Sequence, residues 1–413
     1  MRTLDVWLYG ERVGRLEQRD GRMRFTYARE YAETEGPALS CSLRLDDEPY
    51  EREAEAFFGN LLPEGEVRTL VARRVGVSPG NDFGLLEAIG GDCAGAVTLL
   101  EPGQAPEDSG PPEVRWLDEG ELAATLDELP RRPLMVDPEE GVRLSLAGAQ
   151  DKLPVVVAGE RVGVPLRRTP STHILKTAIA RFDDTVANEA FCLALARALG
   201  LEAANAEVRE AGGRDFLLVE RYDRRRVDGA VTRIHQEDFC QALAVPPQLK
   251  YEAEGGPGLA ACFEALEEAS ARTSGDLLAL LDAVVLNFAV GNHDAHGKNF
   301  SMLHRRDGTL LAPLYDIVST AVYPGLTRKL AMAIGGEYRP EYVRRRHFER
   351  MVASTSLGWA PTRRRLLELL RRLPAAIEVA VAQTPAGSPA PVVGRIREVL
   401  STRSGWLQRE LTS

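Results

Sequence analysis

Apolar residues in the first half of the chain cluster in short runs that are typical of β-strands. Val6–Tyr9, followed by Gly10, predicts a strand and a tight turn into a second strand. Further short apolar or β-branched runs predict later strands at Ala96–Leu100, Leu153–Val157, Thr172–Lys176 and Phe216–Val219. Helical spacing appears between these strands at Glu53–Phe58, Val67–Arg74 and Val186–Leu199. The first half of the chain therefore predicts a mixture of strands and helices.

The second half of the chain has the apolar spacing of helices. Four apolar residues recur at i, i+4, i+7 and i+11 and predict one buried helix face that ends before Gly291: Leu277, Leu281, Val284 and Phe288. A short strand is predicted at Leu310–Leu314, and the proline-containing run Thr384–Pro391 precedes a last helix. Because strands come first and helices follow, we expect a sheet-containing lobe and a helical lobe with the chemistry in the cleft between them.

Composition suggests four segments. The run EPGQAPEDSGPPE (Glu101–Glu113) is too polar to pack and predicts a surface linker over residues 101–117. Residues 1–100 then form an N-terminal α+β subdomain, residues 118–235 the sheet-containing lobe and residues 236–413 an all-helical lobe. Asp118 and Glu121 resemble an N-cap box that opens the first helix after the linker.

Net charge and cysteine usage narrow the class of protein. The formal charge of −10 over 413 residues argues against a free-standing nucleic-acid binder, which needs a basic face. The arginines of Arg344–Arg346 and Arg363–Arg365 are the densest candidates for a local basic patch, but the interleaved glutamates favour solvated helix faces. The five cysteines are widely spread without a CxxC pair, and neither a signal peptide nor a long apolar stretch is recognisable. We therefore expect a reduced, cytoplasmic protein with no membrane segment.

The run NHDAHGKNFS (Asn292–Ser301) concentrates candidate catalytic groups just after a predicted helix. Phosphoryl transfer needs a carboxylate that orients the attacking hydroxyl and oxygen ligands for Mg²⁺ nearby. Asp294, Asn299 and the later Asp316 supply these groups. An Asp and an Asn at this spacing also occur in ordinary polar loops. A metal-dependent phosphohydrolase that uses His293 and His296 is a second alternative.

Two further segments are candidates for nucleotide binding. Lys176 ends a predicted strand, where a lysine could reach the phosphates of ATP, and Glu189 on the next helix could hold its ammonium group. An edge-strand lysine is the alternative. The run RLSLAGAQDK (Arg143–Lys152) contains small residues that let backbone N–H groups approach phosphates, although a simple β-turn fits the same pattern.

Long motifs along nearly the whole chain point to one family. The motifs FFGNLLPEG and FGLLEAIGGDCAGAV lie in the N-terminal subdomain, at Phe57–Gly65 and Phe83–Val97. SLAGAQDK, HILK and VERYDR lie in the sheet-containing lobe, at Ser145–Lys152, His173–Lys176 and Val219–Arg224. RIHQEDFCQAL, NHDAHGKNFS and LAPLYDIVS follow, at Arg233–Leu243, Asn292–Ser301 and Leu311–Ser319. Together these motifs resemble the HipA family of toxin serine/threonine kinases.

The resemblance implies a protein-kinase-like, two-lobed α+β fold and a role for each motif residue. It makes Asp294 the catalytic base and Lys176 the catalytic lysine, with Asn299 and Asp316 as Mg²⁺ ligands. It gives ATP contacts to the phosphate loop, the hinge and the catalytic loop: Ala147, Gly148, Ala149, Gln150, Lys152, Lys176, Glu220, Arg221, Tyr222, His296 and Lys298. Ser145 stands where the family has an autophosphorylated serine, which suggests an off-switch. The resemblance gives no role to the His235–Asp238 segment, for which helix capping and interlobe hydrogen bonding come before substrate contact.

The resemblance also implies substrates and partners. The family transfers the γ-phosphoryl group of ATP to protein Ser or Thr, and its substrates include aminoacyl-tRNA synthetases such as glutamyl-tRNA synthetase. Its usual partner is a small helix-turn-helix antitoxin (HipB-like), which would bring DNA contact only indirectly. A small-molecule kinase and a co-repressor scaffold without ATP turnover remain alternatives. They differ in whether label from ATP appears on a metabolite, on protein or on neither.

Overall fold

The computed structural model describes residues 2–34, 36–106, 112–137, 142–148, 150–167, 169–305, 307–384 and 390–412. They belong to two units. The first unit comprises Met1–Thr177, Arg209–Gln248 and Leu303–Arg306, and the second comprises Ala178–Val208, Leu249–Met302 and Asp307–Ser413. Strands dominate the first unit, and helices dominate the second.

The strands, in chain order, are β1 (Arg2–Leu8), β2 (Glu11–Arg19), β3 (Arg22–Tyr27), β4 (Val97–Leu100), β5 (Glu113–Leu117), β6 (Lys152–Ala158), β7 (Arg161–Leu166), β8 (His173–Thr177), β9 (Ala206–Ala211), β10 (Arg214–Glu220), β11 (Arg224–Val227), β12 (Ala230–Arg233), β13 (His235–Asp238), β14 (Ser301–Arg305) and β15 (Gly308–Leu311). The helices are α1 (Arg29–Ala32), α2 (Arg52–Gly59), α3 (Gly65–Arg74), α4 (Asp82–Ile89), α5 (Glu119–Glu128), α6 (Thr185–Ala198), α7 (Phe239–Ala242), α8 (Leu259–Ala269), α9 (Thr273–Val290), α10 (Arg345–Ala353), α11 (Trp359–Gln383) and α12 (Pro391–Thr412).

The N-terminal part of the first unit is a four-stranded sheet in the order β3-β2-β1-β4. β1 pairs antiparallel with both β2 and β4, so the strand predicted at Val6–Tyr9 is confirmed as a central strand. The helices predicted at Glu53–Phe58 and Val67–Arg74 are also confirmed, as α2 and α3. One core joins the sheet and these helices, and its largest fully buried side chains are Phe25, Phe57, Phe58 and Phe83.

The second sheet of this unit has six strands in the order β5-β7-β6-β8-β10-β9. β8 lies in its interior, antiparallel to β6 on one side and to β10 on the other. Apolar side chains of β6, β7, β8 and β10 form a core of their own, which includes Leu153, Val155, Leu175, Phe216 and Leu218. The predicted N-cap is confirmed, because Asp118 and Glu121 form a complete capping box at the start of α5.

The end of the predicted linker is a strand. β5 lies within the predicted linker, residues 101–117, and pairs antiparallel with β7 at the edge of the six-stranded sheet. Its polar and apolar residues alternate, and Trp116 stacks under the Arg161 guanidinium at 4.1 Å from the ring centroid. Alternation over a short edge strand is easily hidden by neighbouring prolines and acids, which is why composition favoured a linker.

α9 is the central helix of the second unit and packs against α8, α11 and α12. Its predicted apolar face is confirmed, since Leu277, Leu281, Val284 and Phe288 are all buried. By length and composition α9 is also the one helix of the described chain that could cross a membrane, but 72% of that window is buried inside the structure. Asp282 within it forms a bidentate ion pair with Arg365 of α11, with its shortest N···O distance at 2.6 Å. α9 is therefore a core helix of this unit.

Candidate active site

The loop after α9 is held by backbone and side-chain hydrogen bonds. Gly291 ends the helix with a φ of +78°, and a Cβ at this position would lie 2.6 Å from Cβ of Ala321. The side chain of Asn292 accepts a hydrogen bond from the backbone N–H of Asp294 (3.0 Å). The backbone N–H of His296 in turn donates to the carbonyl of Asp294 (2.8 Å). These hydrogen bonds fix the backbone conformation of the loop, and the Asp294 side chain is exposed.

Asp294 has a contact that sequence reasoning missed. The hydroxyl of Tyr251 donates a hydrogen bond to Oδ1 of Asp294 at 2.7 Å. Tyr251 lies 43 residues before Asp294, and its surroundings, KYEAEGG, follow no spacing rule that would link it to the catalytic loop. Only the folded second unit brings the two side chains together.

The two predicted metal ligands contact each other directly. Nδ2 of Asn299 donates a hydrogen bond to Oδ2 of Asp316 at 3.0 Å, and Oδ1 of Asn299 accepts one from the backbone N–H of His296 at 3.1 Å. Asp316 has a φ of +56°, a left-handed conformation that non-glycine residues rarely adopt outside special sites. One amide oxygen and one carboxylate are hard donors of the kind that Mg²⁺ takes, so the pair fits this ion.

His293 of the loop does not support the phosphohydrolase alternative. Nδ1 of His293 is 2.9 Å from the carbonyl of Thr327, and its Nε2 is 2.7 Å from a guanidinium nitrogen of Arg403. Burial, together with Arg403, lowers the pKa of His293 to about 4, so the ring is neutral near pH 7. Both ring nitrogens therefore have protein partners, and neither is available as a metal ligand.

The other two residues assigned to the catalytic loop, His296 and Lys298, are buried. The ring of His296 packs edge-on against that of Tyr251, with ring centroids 5.2 Å apart. The carbonyl of Lys298 accepts a hydrogen bond from the hydroxyl of Tyr315 at 2.7 Å. Their contacts fix the loop, and a direct contact of either side chain with ATP stays a prediction.

In the first unit, two lysines of neighbouring strands stand opposite each other. Lys176 on β8 is the direct antiparallel partner of Lys152 on β6, and Lys176 is only 7% exposed. Directly opposed residues of an antiparallel pair project from the same face, and like charges in that position are destabilising. Both ammonium groups are therefore carried on one face of the sheet, which is an arrangement suited to binding a phosphate. Glu189, the residue predicted to hold Lys176, is buried on α6 in the second unit.

The predicted phosphate loop is fastened to the N-terminal part of the first unit. The carbonyl of Gly148 accepts a hydrogen bond from the backbone N–H of Glu64 (3.1 Å), and Nζ of Lys152 donates to the carbonyl of Ala147. The side-chain amide of Gln150 donates to the carbonyl of Thr177 at 3.1 Å. Ala149, also predicted to bind nucleotide, lies outside the described residues.

Ser145 is completely buried just ahead of this loop. Its hydroxyl donates a hydrogen bond to the carbonyl of Leu61 at 2.7 Å, and its backbone N–H donates to the carbonyl of Asp92 at 3.1 Å. The hydroxyl is therefore inaccessible to any phosphoryl donor in this conformation. A phosphate could reach it only after the segment leaves its site.

Arg221 of the predicted hinge has a structural role. Its Nε and Nη2 donate to the carboxylate of Asp223 at 2.9 and 2.7 Å, and Nη1 donates to the hydroxyl of Ser171 at 2.9 Å. Its backbone N–H donates to the carbonyl of Thr172 at 3.0 Å, and its carbonyl accepts from the N–H of Arg224. The Arg221 side chain is therefore used within the protein, and a contact of its backbone with ATP stays a prediction. Of its neighbours, Glu220 is exposed at the end of β10, and Tyr222 is partly buried.

The hinge belongs to a buried ionic network, here called the Asp92 network, which consists of Asp92, Arg221, Asp223, Arg224 and Arg233. Oδ1 of Asp92 accepts hydrogen bonds from Arg224 (2.9 Å) and Arg233 (3.0 Å). The side chains of Asp92, Arg221, Asp223 and Arg224 are all less than 5% exposed. The network joins the motif GGDCAG to the motif VERYDR, so these two parts of the sequence stabilise one another.

The His235–Asp238 segment caps a helix and anchors the N-terminal subdomain. Asp238 and Gln241 form a complete capping box at the start of α7, with both hydrogen bonds at 2.9 Å. Nε2 of His235 lies 2.7 Å from the carbonyl of Leu39. Helix capping, the first interpretation of this segment, is confirmed.

Glu237 in the same segment is the buried centre of a small cluster. Its carboxylate accepts hydrogen bonds from the hydroxyl of Ser40 and the backbone N–H of Cys41 (3.0 Å), and it is 2.8 Å from Nε2 of His304. The ligand atoms of Cys41, Glu237 and His304 lie within 4.8 Å of one another, close enough to surround a metal ion. Because hydrogen bonds already satisfy both oxygens of Glu237, we assign the cluster a structural role.

Known proteins share both the sequence and the fold of this chain. Residues 4–100 match the sequence profile of the HipA N-terminal domain, and residues 144–381 match that of the HipA-like C-terminal domain. The protein Y4mE of Sinorhizobium fredii, named for an inferred kinase activity, is 48% identical over 377 residues, which are 90% of this chain and 90% of Y4mE. The serine/threonine-protein kinase toxin HipA of Shewanella oneidensis is 30% identical over 371 residues, 87% of this chain and 84% of that protein.

The fold has a solved counterpart over its whole length. The Shewanella oneidensis MR-1 toxin-antitoxin structure, a complex of HipA, HipB and operator DNA, contains a chain that superposes with a TM-score of 0.88 at 27% identity. The match covers 99% of this chain and 98% of that one. The predicted protein-kinase-like fold with both helix and sheet is confirmed.

Proposed function

This chain belongs to the HipA family of serine/threonine-protein kinase toxins, and we propose that it transfers the γ-phosphoryl group of ATP to a serine or threonine of a protein. The observation that carries the proposal is the hydrogen bond between Asn299 and Asp316. Asn299 lies on the same loop as Asp294, and Asp316 follows β15. Kinases of this family use ATP and a metal in general. An aminoacyl-tRNA synthetase, as in the family, is the substrate class that we propose.

Each side chain contributes one part of the reaction. Asp294 accepts the proton of the attacking hydroxyl and orients that hydroxyl toward the γ-phosphorus. Asn299 and Asp316 would hold Mg²⁺, which neutralises charge on the phosphates when it is bound. Lys176 and Lys152 supply positive charge to the phosphates from β8 and β6. Phosphoryl transfer depends mainly on the positions and charges of the groups around the phosphate. The hydrogen bonds that fix the loop therefore contribute to catalysis, because they hold Asp294 and Asn299 in place.

The test of this function is incubation of the purified protein with γ-labelled ATP and Mg²⁺ in a cell lysate, beside an Asp294→Ala variant. Label on one or a few lysate proteins that is lost in the variant would support the protein kinase. Label on an alcohol metabolite and not on protein would support the small-molecule kinase instead. Absence of label, even after phosphatase pretreatment of the enzyme, would contradict both and leave the scaffold.

We further propose that phosphorylation of Ser145 switches the enzyme off. A phosphate adds a charge of roughly −1.5 to −2 at a hydroxyl that is fully buried between Leu61 and Asp92, so the phosphate loop must move. A phosphosite map of protein expressed in active form should show Ser145 modified, and the same map of the Asp294→Ala protein should show it unmodified. Ser145 found unmodified while other sites are occupied would contradict this switch.

The partner that we propose is a small helix-turn-helix antitoxin, because the solved relative is assembled with HipB and operator DNA. The acidic chain itself needs no direct contact with bases, and we place it in the cytoplasm with its substrates. Co-expression with a helix-turn-helix protein encoded beside it should yield a stable complex on gel filtration. Failure of every such neighbour to bind would contradict the partner.

A further inference from the structure

Tyr251 and Asp294 meet in the second unit although 43 residues separate them in the chain. The tyrosine hydroxyl donates to Oδ1 of the carboxylate at 2.7 Å, which is a short and strong geometry for a hydrogen bond to an ionised acceptor. Asp294 is otherwise exposed at the tip of its loop. An exposed aspartate has two freely rotating side-chain torsions, so a donor at this distance limits its orientation.

The segment that carries Tyr251 is rigidly built. The backbone N–H of Gly256 donates to the carbonyl of Tyr251 at 2.9 Å, and a Cβ on Gly256 would lie 2.1 Å from the carbonyl oxygen of Leu249. The carboxylate of Glu252 accepts a hydrogen bond from the backbone N–H of Ala333, and the N–H of Glu252 donates to the carbonyl of Ala331. The turn is therefore closed on itself and fastened to another part of the same unit.

The ring of Tyr251 is held from two further directions. The buried ring of His296 packs edge-on against it, with ring centroids 5.2 Å apart and an interplanar angle of 81°. The ammonium group of Lys250 lies 5.5 Å from the ring centroid, within the range of a cation–π contact. The backbone N–H of His296 also donates to the carbonyl of Asp294, so His296 contacts both Tyr251 and Asp294.

We propose that Tyr251 is a positioning residue for phosphoryl transfer, which fixes the Asp294 carboxylate in the orientation that receives the proton of the substrate hydroxyl. This inference rests on the proposed role of Asp294. An ionised carboxylate has about four acceptor positions on its two oxygens. The tyrosine occupies one of them on Oδ1 and so restricts the direction in which the carboxylate faces the substrate.

The direct test is Tyr251→Phe, which removes the hydroxyl and keeps the ring. We expect kcat for transfer of label from γ-labelled ATP to dephosphorylated casein, and to water, to fall about 10-fold, a fraction of the whole effect of a general base. The KM for ATP should stay close to that of the unchanged protein. Tyr342→Phe is the matched control, because Tyr342 is 47% exposed in the same unit, and it should leave kcat unchanged.

A second variant separates positioning from packing. Incorporation of 4-aminophenylalanine at position 251 returns an N–H donor to the place of the hydroxyl, and it should recover most of the lost kcat. A merely structural ring would show no difference between phenylalanine and the amino analogue. Unchanged kcat in Tyr251→Phe, with Asp294→Ala inactive in the same assay, would overturn the role of Tyr251.

Thermal unfolding distinguishes failure of this inference from failure of the proposed kinase. If the unchanged protein and Asp294→Ala are equally inactive, the kinase proposal is contradicted, and the contact itself is still decided by a double-mutant cycle. Shifts in melting temperature for Tyr251→Phe and Asp294→Ala should be non-additive if the two side chains interact. Additive shifts would overturn the contact and the positioning role with it.

Discussion

Asp294→Ala is expected to lower kcat for phosphoryl transfer by about 10³-fold, the middle of the range for loss of a general base. Asp294 lies at the exposed tip of its loop, so its removal leaves the hydrogen bond between Asn299 and Asp316 in place. The affinity for ATP should therefore change little. Single-turnover transfer of label from γ-labelled ATP, together with a nucleotide-binding titration, measures the two quantities separately.

The matched control for this change is Asp307→Ala. Asp307 is an exposed aspartate of the same unit, in the turn between β14 and β15, and its removal changes the net charge of the protein equally. We expect its kcat to equal that of the unchanged protein. An Asp294→Ala enzyme that retained more than about a tenth of the normal rate would show that another group accepts the proton.

Asp92→Ala should destabilise the first unit by about 3–5 kcal/mol, the usual cost of removing one partner from a buried ionic group. The change leaves the guanidinium groups of Arg221 and Arg224 buried with one carboxylate, that of Asp223, between them. Equilibrium urea unfolding, followed through the transition of this unit, measures the loss. Asp215→Ala, an exposed aspartate on β10, is the control and should change stability by less than about 0.5 kcal/mol.

The pKa of Asp92 determines how the stability loss in Asp92→Ala depends on pH. Burial alone would raise the pKa of Asp92, but Arg224, Arg233 and Arg221 outweigh it and hold the pKa well below its usual range. A carboxylate with a depressed pKa contributes stability that is present above its unfolded value and is lost as the pH falls through its folded value. The deficit of Asp92→Ala should therefore be constant from about pH 5 upward. A deficit below 1 kcal/mol, or one that varies between pH 5 and 8, would contradict the ionic account.

The sequence predicted well what depends on local spacing. The apolar face of α9, the capping box of Asp118 and the strand that ends near Lys176 each follow from neighbours within a few residues. The catalytic loop was found for the same reason, because Asp294 and Asn299 lie on one short run after a helix. Asp316 is 17 residues from Asn299, and its place directly after a predicted strand, together with the resemblance, led to the prediction of one metal site.

Contacts between residues that are distant in the sequence could not be predicted from it. Asp92 and Arg221 are 129 positions apart, and no periodic pattern connects them, so the ionic role of the Arg221 side chain could not be predicted. Tyr251 was missed for the same reason. β5 was missed because a short edge strand lacks the burial on both faces that makes central strands easy to recognise.

The burial of Ser145 would set a delay before the proposed off-switch acts. In the closed fold its hydroxyl is bonded to Leu61 and shielded from solvent, so modification waits for a rare local opening of that segment. The time for which each molecule stays active then depends on the frequency of opening, not on the speed of the phosphoryl transfer to Ser145. Openings become more frequent on heating and with each mutation that weakens the Asp92 backbone contact. A variant in which this segment is more stable would keep each molecule active for longer, and a variant in which it is less stable would shorten the active time.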